Sequence, residues 1–283
     1  MTKQSELSTP NLGGMFNKTH PTEFGKYKVF RILGSGGFGS VYLVQDSTGK
    51  MFVLKVSNSK NASYLKKEYI IGASIIYKYF VQALELFEEG ENICLLFEYV
   101  EGQTLTKFLS LPQSNIVKKL IIQQLALAIS HLHDFMKIAH LDIKPDNILV
   151  VMQNGFPQVK IIDFGLASPF ALLAPGRVGT PKYMAPEVSS GFGFNQSADI
   201  WSLGMVFVYI LTGQVAAVTG THPRNAVPFQ VCTMMQAQIP DQIKSDPEMS
   251  WGLILCQACL EIDPNLRPCA ATFVEMCAYL KLD

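Results

Sequence analysis

What most constrains the fold of this chain is the order in which its periodicities appear. Apolar and polar residues alternate first, and helical spacing follows. KYKVFRILG and SVYLVQDSTGKMFVLKV give three strands over residues 27–56, with a hairpin turn at Asp46–Gly49. ASYLKKEYIIGASIIYKY, residues 62–79, carries a helical pattern. VQALELFEEGENICLLFEYV then reads as a second hairpin turning at Glu89, Gly90 and Glu91. Beyond it, helices are predicted over TLTKFL, 114–135, 196–212, around 229–238, 248–260 and 270–281. Strands before helices predict an α+β chain in two lobes. A small β-rich lobe with one main helix is expected over about 24–98, a hinge over about 98–102, and a larger helical lobe over about 103–283. Residues 1–23 are polar and read as a flexible arm.

A length of 283 residues suffices for two such lobes. Lys plus Arg and Asp plus Glu both number 23, so no net field favours nucleic acid or an anionic membrane. The longest apolar-rich run, Ile200 to Leu211, falls short of the roughly twenty residues a bilayer requires. The opening residues are polar, so no secretory signal is expected. These features predict an intracellular protein without membrane insertion, and they leave its association state open. The six cysteines read as buried thiols of a reducing compartment. Cys256 and Cys259 fall on a predicted helix without a second pair, which argues against zinc or redox chemistry. Trp201, Phe207 and Tyr209 read as core, whereas Met234 and Met235 with Phe229 could form a docking groove. His131 and His133, near one helix end, read as surface or capping residues.

Four constellations carry chemistry. HLDIKPDNIL, His140 to Leu149, lies between a predicted helix and the short apolar strand NILVVM. Asp142 could accept a proton from a hydroxyl, Lys144 could hold a moving negative charge, and Asn147 could offer an oxygen to a hard cation. Alone, the stretch could equally be a solvated loop. Gly34-Ser35-Gly36-Gly37-Phe38-Gly39-Ser40-Val41 sits between two strands of a hairpin and opens no helix. That context argues against a dinucleotide fingerprint but allows either a phosphate cradle or a plain glycine-rich turn. Lys55, flanked by apolar residues on a strand, is costly to bury unless paired, and Glu68 on the predicted helix is the candidate partner. Asp163 ends the apolar run Ile161-Ile162 before Phe164 and Gly165, where it could present a carboxylate to Mg²⁺.

Taken together, GSGGFGSV, VLK, HLDIKPDN, DFG and GTPKYMAPE resemble the signatures of the eukaryotic protein kinase family, in that family's order. Asp199-Ile200-Trp201 resembles the family's central large-lobe helix, and Asp263 to Pro268 the stretch whose arginine pairs with Glu187. The resemblance spans about residues 24 to 281 and implies a bilobal kinase fold, ATP and Mg²⁺ as cofactors, and a protein substrate. It implies that Gly34, Ser35, Gly36, Gly37, Phe38 and Gly39 cover the phosphates, and that Lys55, positioned by Glu68, binds them. Leu33, Val41, Val53 and Leu149 would enclose adenine, with Phe97 behind and backbone groups of Glu98 and Val100 at its edge. Asp142 would take the acceptor's proton, Lys144 would stabilise the phosphoryl group, and Asn147 and Asp163 would hold Mg²⁺. Lys144 together with Thr180 resembles serine/threonine rather than tyrosine kinases. The rival reading is a nucleotide-binding scaffold of the same fold; retention of Lys55, Asp142, Asn147 and Asp163 argues against it.

Three positions depart from the family pattern. Leu141 replaces the arginine that often receives an activation-loop phosphate, and residues 163–187 offer only Ser168, Thr180 and Tyr183 as hydroxyls. This predicts a kinase independent of loop phosphorylation. Val53 stands where alanine is usual and should narrow the pocket. Gly72 stands where a large apolar side chain is usual. The gap is expected to be filled by Phe97, or to leave the helix loosely held, unless Glu68 is itself placed one turn off.

Overall fold

A computed structural model describes residues 21–36, 39–191, 193–219 and 236–280. Most of the expected arm, together with Phe229, Cys232, Met234 and Met235, lies outside the described residues.

Six strands form one antiparallel sheet: β1 Glu23–Phe24, β2 Tyr27–Gly36, β3 Gly39–Gln45, β4 Met51–Asn58, β5 Ala83–Glu89 and β6 Asn92–Glu98. Their order is β1-β2-β3-β4-β6-β5. The β3–β4 turn is built as its sequence predicts. Asp46 Oδ1 accepts from the Thr48 N–H at 2.9 Å and the Lys50 N–H at 3.0 Å, and Gly49 takes φ +89°.

Helix α1, Ala62–Ser74, packs on this sheet through Leu65, Glu68 and Gly72, while Ile71 joins the large-lobe core. It ends five residues earlier than its periodicity predicts. Gln82 Nε2 donates to the free carbonyls of Gly72 at 3.2 Å and Ala73 at 3.3 Å, and Ile75 turns extended. The chain that follows drops into the large lobe, where Phe80 bridges to Ile161.

The large lobe opens with β7 Gln103–Thr104, α2 Leu105–Phe108 and α3 Asn115–Ser130. Ser114 Oγ caps α3 by accepting from the Val117 N–H at 3.3 Å. The predicted 114–135 helix widens to a π turn over His131–Met136 and stops at Lys137, which has φ +57°. Strands β8 Ile138–Ala139, β9 Ile148–Gln153, β10 Phe156–Ile161 and β11 Ser168–Pro169 frame the loops between them. Helix α4 covers Pro186–Ser189, and α5, Ser197–Thr212, runs through the centre. It is buried nearly all round, as its largely apolar sequence requires, and Gly213 caps it at φ +73°. Trp201 and Phe207 are core as expected, with Phe207 stacked on Phe273 at 5.4 Å. Among the described residues no helix is long and apolar enough to cross a membrane.

Two helical expectations fail. Of 229–238, the first seven residues lie outside the described set, and Gln236–Gln238 is a strand paired with Ala217–Thr219. The 248–260 helix breaks at Trp251 and Gly252. A Cβ on Gly252 would lie 2.5 Å from Leu211 Cδ1, so a side chain there would have to displace the end of the Leu211 side chain.

Candidate active site

The glycines of the β2–β3 hairpin are not equivalent. Gly34 pairs with Val41, Ser35 with Ser40 and Gly36 with Gly39, while Gly37 and Phe38 lie outside the described residues. Gly39 adopts φ +126°, and a Cβ there would lie 2.1 Å from the Val56 carbonyl. Its glycine is demanded by the approach of β3 to β4. A Cβ on Gly34 or Gly36 would meet nothing within 4 Å, so these two leave bare backbone open to a ligand.

Strand β4 sets Lys55 opposite Val41 on one neighbour and Leu95 on the other. Its Nζ donates to Glu68 Oε2 at 2.7 Å, Glu68 Oε1 at 3.0 Å and Asp163 Oδ1 at 3.3 Å. Glu68 therefore sits on the correct turn of α1. Burial pushes its carboxyl up to about 7, against the pull of Lys55. Burial alone would lower the Lys55 ammonium, yet Glu68 and Asp163 hold it above its ordinary value. Asp163 takes the left-handed φ of +67° and accepts from the Gly165 N–H at 3.1 Å. Burial opposes its ionisation, but Lys55 and that N–H outweigh it and keep the carboxyl below the usual carboxylate value.

The loop between β8 and β9 is a closed hydrogen-bonded set. Asp142 Oδ1 accepts from Thr180 Oγ1 at 2.6 Å. Asp142 Oδ2 accepts from Lys144 Nζ at 2.6 Å and Asn147 Nδ2 at 2.9 Å. Lys144 Nζ reaches Thr180 Oγ1 at 2.8 Å. Asn147 Nδ2 also bonds the Asp142 carbonyl at 2.9 Å, which fixes the amide plane and turns its oxygen away.

Asp199, at the start of α5, holds this loop from behind. Its Oδ2 accepts from the His140 N–H at 2.7 Å and its Oδ1 from the Leu141 N–H at 2.8 Å. His133 Nε2 lies 2.9 Å from Oδ2. Burial would raise the Asp199 carboxyl, but His133, His140 and that N–H hold it below its ordinary value. Sequence reasoning missed this anchor, although an acid beside Trp201 in an apolar run is itself a signal of pairing. His133 is accordingly buried and not at the surface. His131 stacks on Tyr77 at 4.2 Å. His140 is fully buried.

Leu141 sits in the large-lobe core at φ +66°. A Cβ on Gly179, itself at φ +101°, would lie 2.5 Å from the Leu141 carbonyl, so the segment carrying Thr180 is pressed onto the loop. Gly72 is not bridged by Phe97. A Cβ there would meet Ala83 Cβ at 3.0 Å and Phe164 Cδ2 at 3.3 Å, so the Phe164 ring and Ala83 fill the gap.

On the same face of β4 as Lys55, Val53 packs with Val100 and Leu149 against the cluster that contains Phe97. Leu33 remains 41 % exposed. The Glu98 N–H is taken by the Gln82 carbonyl at 3.0 Å, and its carboxylate by Lys160 at 2.6 Å. A ligand bond at Glu98 must therefore use its carbonyl. Val100 gives its carbonyl to the Gly102 N–H at 2.9 Å.

A cavity of about 290 Å³ joins these groups, lined by Lys55, Glu68, Asp142, Lys144, Asp163 and Thr180 among others. Tyr64, on the first turns of α1, also lines it and was not anticipated. Glu187 and Arg267 form the predicted pair, bidentate at 2.6 Å and 2.9 Å, under Trp201.

A family model described as protein kinase domain matches residues 27–277. The chain belongs to the protein kinase family. Among curated proteins, human serine/threonine-protein kinase D2 is 36% identical over 200 residues, covering 66% of this chain and 23% of the relative. The cAMP-dependent protein kinase catalytic subunit of Dictyostelium discoideum is 32% identical over 197 residues, covering 66% of this chain and 30% of the relative. The serine/threonine-protein kinase pkn2 of Myxococcus xanthus is 31% identical over 266 residues, covering 87% and 31%. The kinase chain thus spans between 23% and 31% of the length of these relatives.

Proposed function

We propose that this chain transfers the γ-phosphoryl group of ATP to serine and threonine hydroxyls of protein substrates. The observation that carries the proposal is the Asp142–Lys144–Thr180–Asn147 set, which presents a carboxylate and a cation at one point in the cavity. The names of the relatives, all serine/threonine kinases or a cAMP-dependent protein kinase, point the same way.

In this reading Asp142 orients the acceptor hydroxyl and takes its proton. Lys144 faces the charge that develops on the transferring oxygens. Lys55, held by Glu68, positions the nucleotide phosphates, beneath the open backbone of Gly34 and Gly36. Val53, Leu149 and Val100 line the apolar slot for the base, with Leu33 and Val41 at its edge. The donor set suits Mg²⁺: Asp163 supplies a carboxylate kept ionised, and Asn147 a carbonyl oxygen that its own N–H bonds leave free. Among the described residues no group of three or more His, Cys, Asp or Glu gathers to hold a metal, so phosphate and water would complete the shell. Bound Mg²⁺ would supply charge neutralisation of the phosphates. Positioning and charge complementarity are what the chain itself contributes.

Transfer is independent of activation-loop phosphorylation in this proposal. Leu141 gives no cation for a phosphate. Ser168 is buried and paired with Ala139, Tyr183 is buried, and Thr180 is bound to Asp142. The purified chain with Mg·ATP should phosphorylate a generic protein substrate, and Asp163→Asn should abolish this. Ser168→Ala should retain activity; its loss would refute the loop-independence proposal. Nucleotide binding without any turnover would favour the scaffold reading.

A further inference from the structure

From Phe164 to Pro186 the chain contains no acidic residue, and its only charges are Arg177 and Lys182. Both are exposed, and neither has an ion-pair or hydrogen-bond partner among the described residues. They flank the point where this segment is fixed to the catalytic loop, through Gly179 against the Leu141 carbonyl and Thr180 on Asp142. Consecutive Cα atoms are about 3.8 Å apart, so the Arg177 and Lys182 Cα atoms lie within about 11 Å and 8 Å of that of Thr180.

Most of the acids nearby are engaged by cations, and Asp146, close enough to act on Tyr183, is held only by a neutral hydroxyl. Asp142 is bound by Lys144 and Asn147, Asp163 by Lys55, and Glu98 by Lys160. Asp146, which is exposed, accepts from Thr106 Oγ1 at 2.9 Å. The chain as a whole carries no net charge, so two cations without partners among the described residues, two and three positions from the cavity-lining Thr180, are a local feature.

We propose that Arg177 and Lys182 select protein substrates with anionic side chains, carboxylate or phosphate, two or three residues from the acceptor hydroxyl. This rests on the kinase reading above. An extended peptide advances about 3.3 Å per residue, which brings side chains two or three positions away under these cations. Arg177 offers a planar fork suited to bidentate oxyanions, and Lys182 a point charge. Both are in water, so each contact is worth a factor of about five at most, or about 25-fold for the pair. Salt screens it.

The test uses three serine peptides identical except for the flanking positions, which carry alanine, glutamate or phosphoserine on both sides. Glutamate or phosphoserine should raise kcat/KM several-fold over alanine, mainly through KM, and the ratio should shrink with added salt. A larger gain for phosphoserine assigns phosphate as the natural anion, and an equal gain assigns carboxylate. In Arg177→Ala/Lys182→Ala the ratio should fall to about one. Arg177→Glu/Lys182→Glu should turn the preference toward a lysine-flanked peptide. Equal use of all three peptides by the native chain, or a preference that survives in the double alanine variant, overturns the assignment. Transfer without preference refutes the role of these cations alone, whereas no transfer to any peptide refutes the kinase reading with it.

Discussion

Removing one oxygen from Asp199 should loosen the catalytic loop from a position that touches no substrate. The carboxylate accepts at 2.7 Å and 2.8 Å from the backbone N–H groups of His140 and Leu141, and pairs with His133 at 2.9 Å. Asp199→Asn keeps one acceptor and sets an amide N–H against a buried donor. At best the variant loses one charge-assisted bond, worth about 1.5–3 kcal/mol. Asp199→Ala strands two buried backbone donors at about 1–3 kcal/mol each and should cost about 2–6 kcal/mol. Because those donors belong to the two residues before Asp142, kcat should fall in Asp199→Asn beyond what unfolding explains. Urea titration gives the stability change, assays on the fully folded fraction give kcat, and amide exchange at His140 and Leu141 should accelerate. Sign also matters. Asp199 is held below its ordinary value of 3.8, so its contribution is present above that pH and lost on acidification below it. An Asp199→Asn variant within 0.5 kcal/mol of the native chain, with unchanged kcat, would refute this reasoning.

Glu68, lifted to about 7, makes activity and stability diverge. Protonation breaks its pair with Lys55, so kcat/KM for ATP should drop as pH falls through about 7, and Glu68→Gln should flatten that limb at a lower level. Since the folded value exceeds the ordinary 4.5, the folded chain binds this proton more tightly, and the group's contribution to stability declines as pH rises from 4.5 to about 7. Gly39→Ala should destabilise by at least about 1–3 kcal/mol from strain at its positive φ and the clash with Val56. Gly36→Ala should leave the melting temperature within a degree or two of the native chain, about 0.5 kcal/mol, yet raise KM for ATP.

What the sequence disclosed depended on how each contact is made. The Lys55–Glu68 pair was legible because a lysine inside an apolar strand demands an anion, and one helix held the candidate. The β3–β4 turn was legible because Asp46 and Gly49 carry its chemistry locally. Asp199 was not read as an anchor because two of its partners are backbone N–H groups 58 and 59 residues away, which leave no side-chain pattern, and the third, His133, is 66 residues away. The early end of α1 escaped notice because Gln82, from the approach to β5, supplies the cap. At Gly72 the sequence marked a missing side chain but not its replacement, since Phe164 reaches it only through the tertiary fold.

The role proposed for Asp142 is to promote phosphoryl transfer to a hydroxyl. Its most direct test is single-turnover transfer from γ-labelled ATP to a serine peptide, comparing the native chain with Asp142→Asn at matched nucleotide occupancy. The native chain should yield phosphoserine and the variant a rate about 10²–10⁴-fold lower, with ATP affinity largely retained. Equal rates in the two proteins, or no labelled peptide from the native chain despite bound Mg·ATP, would contradict it.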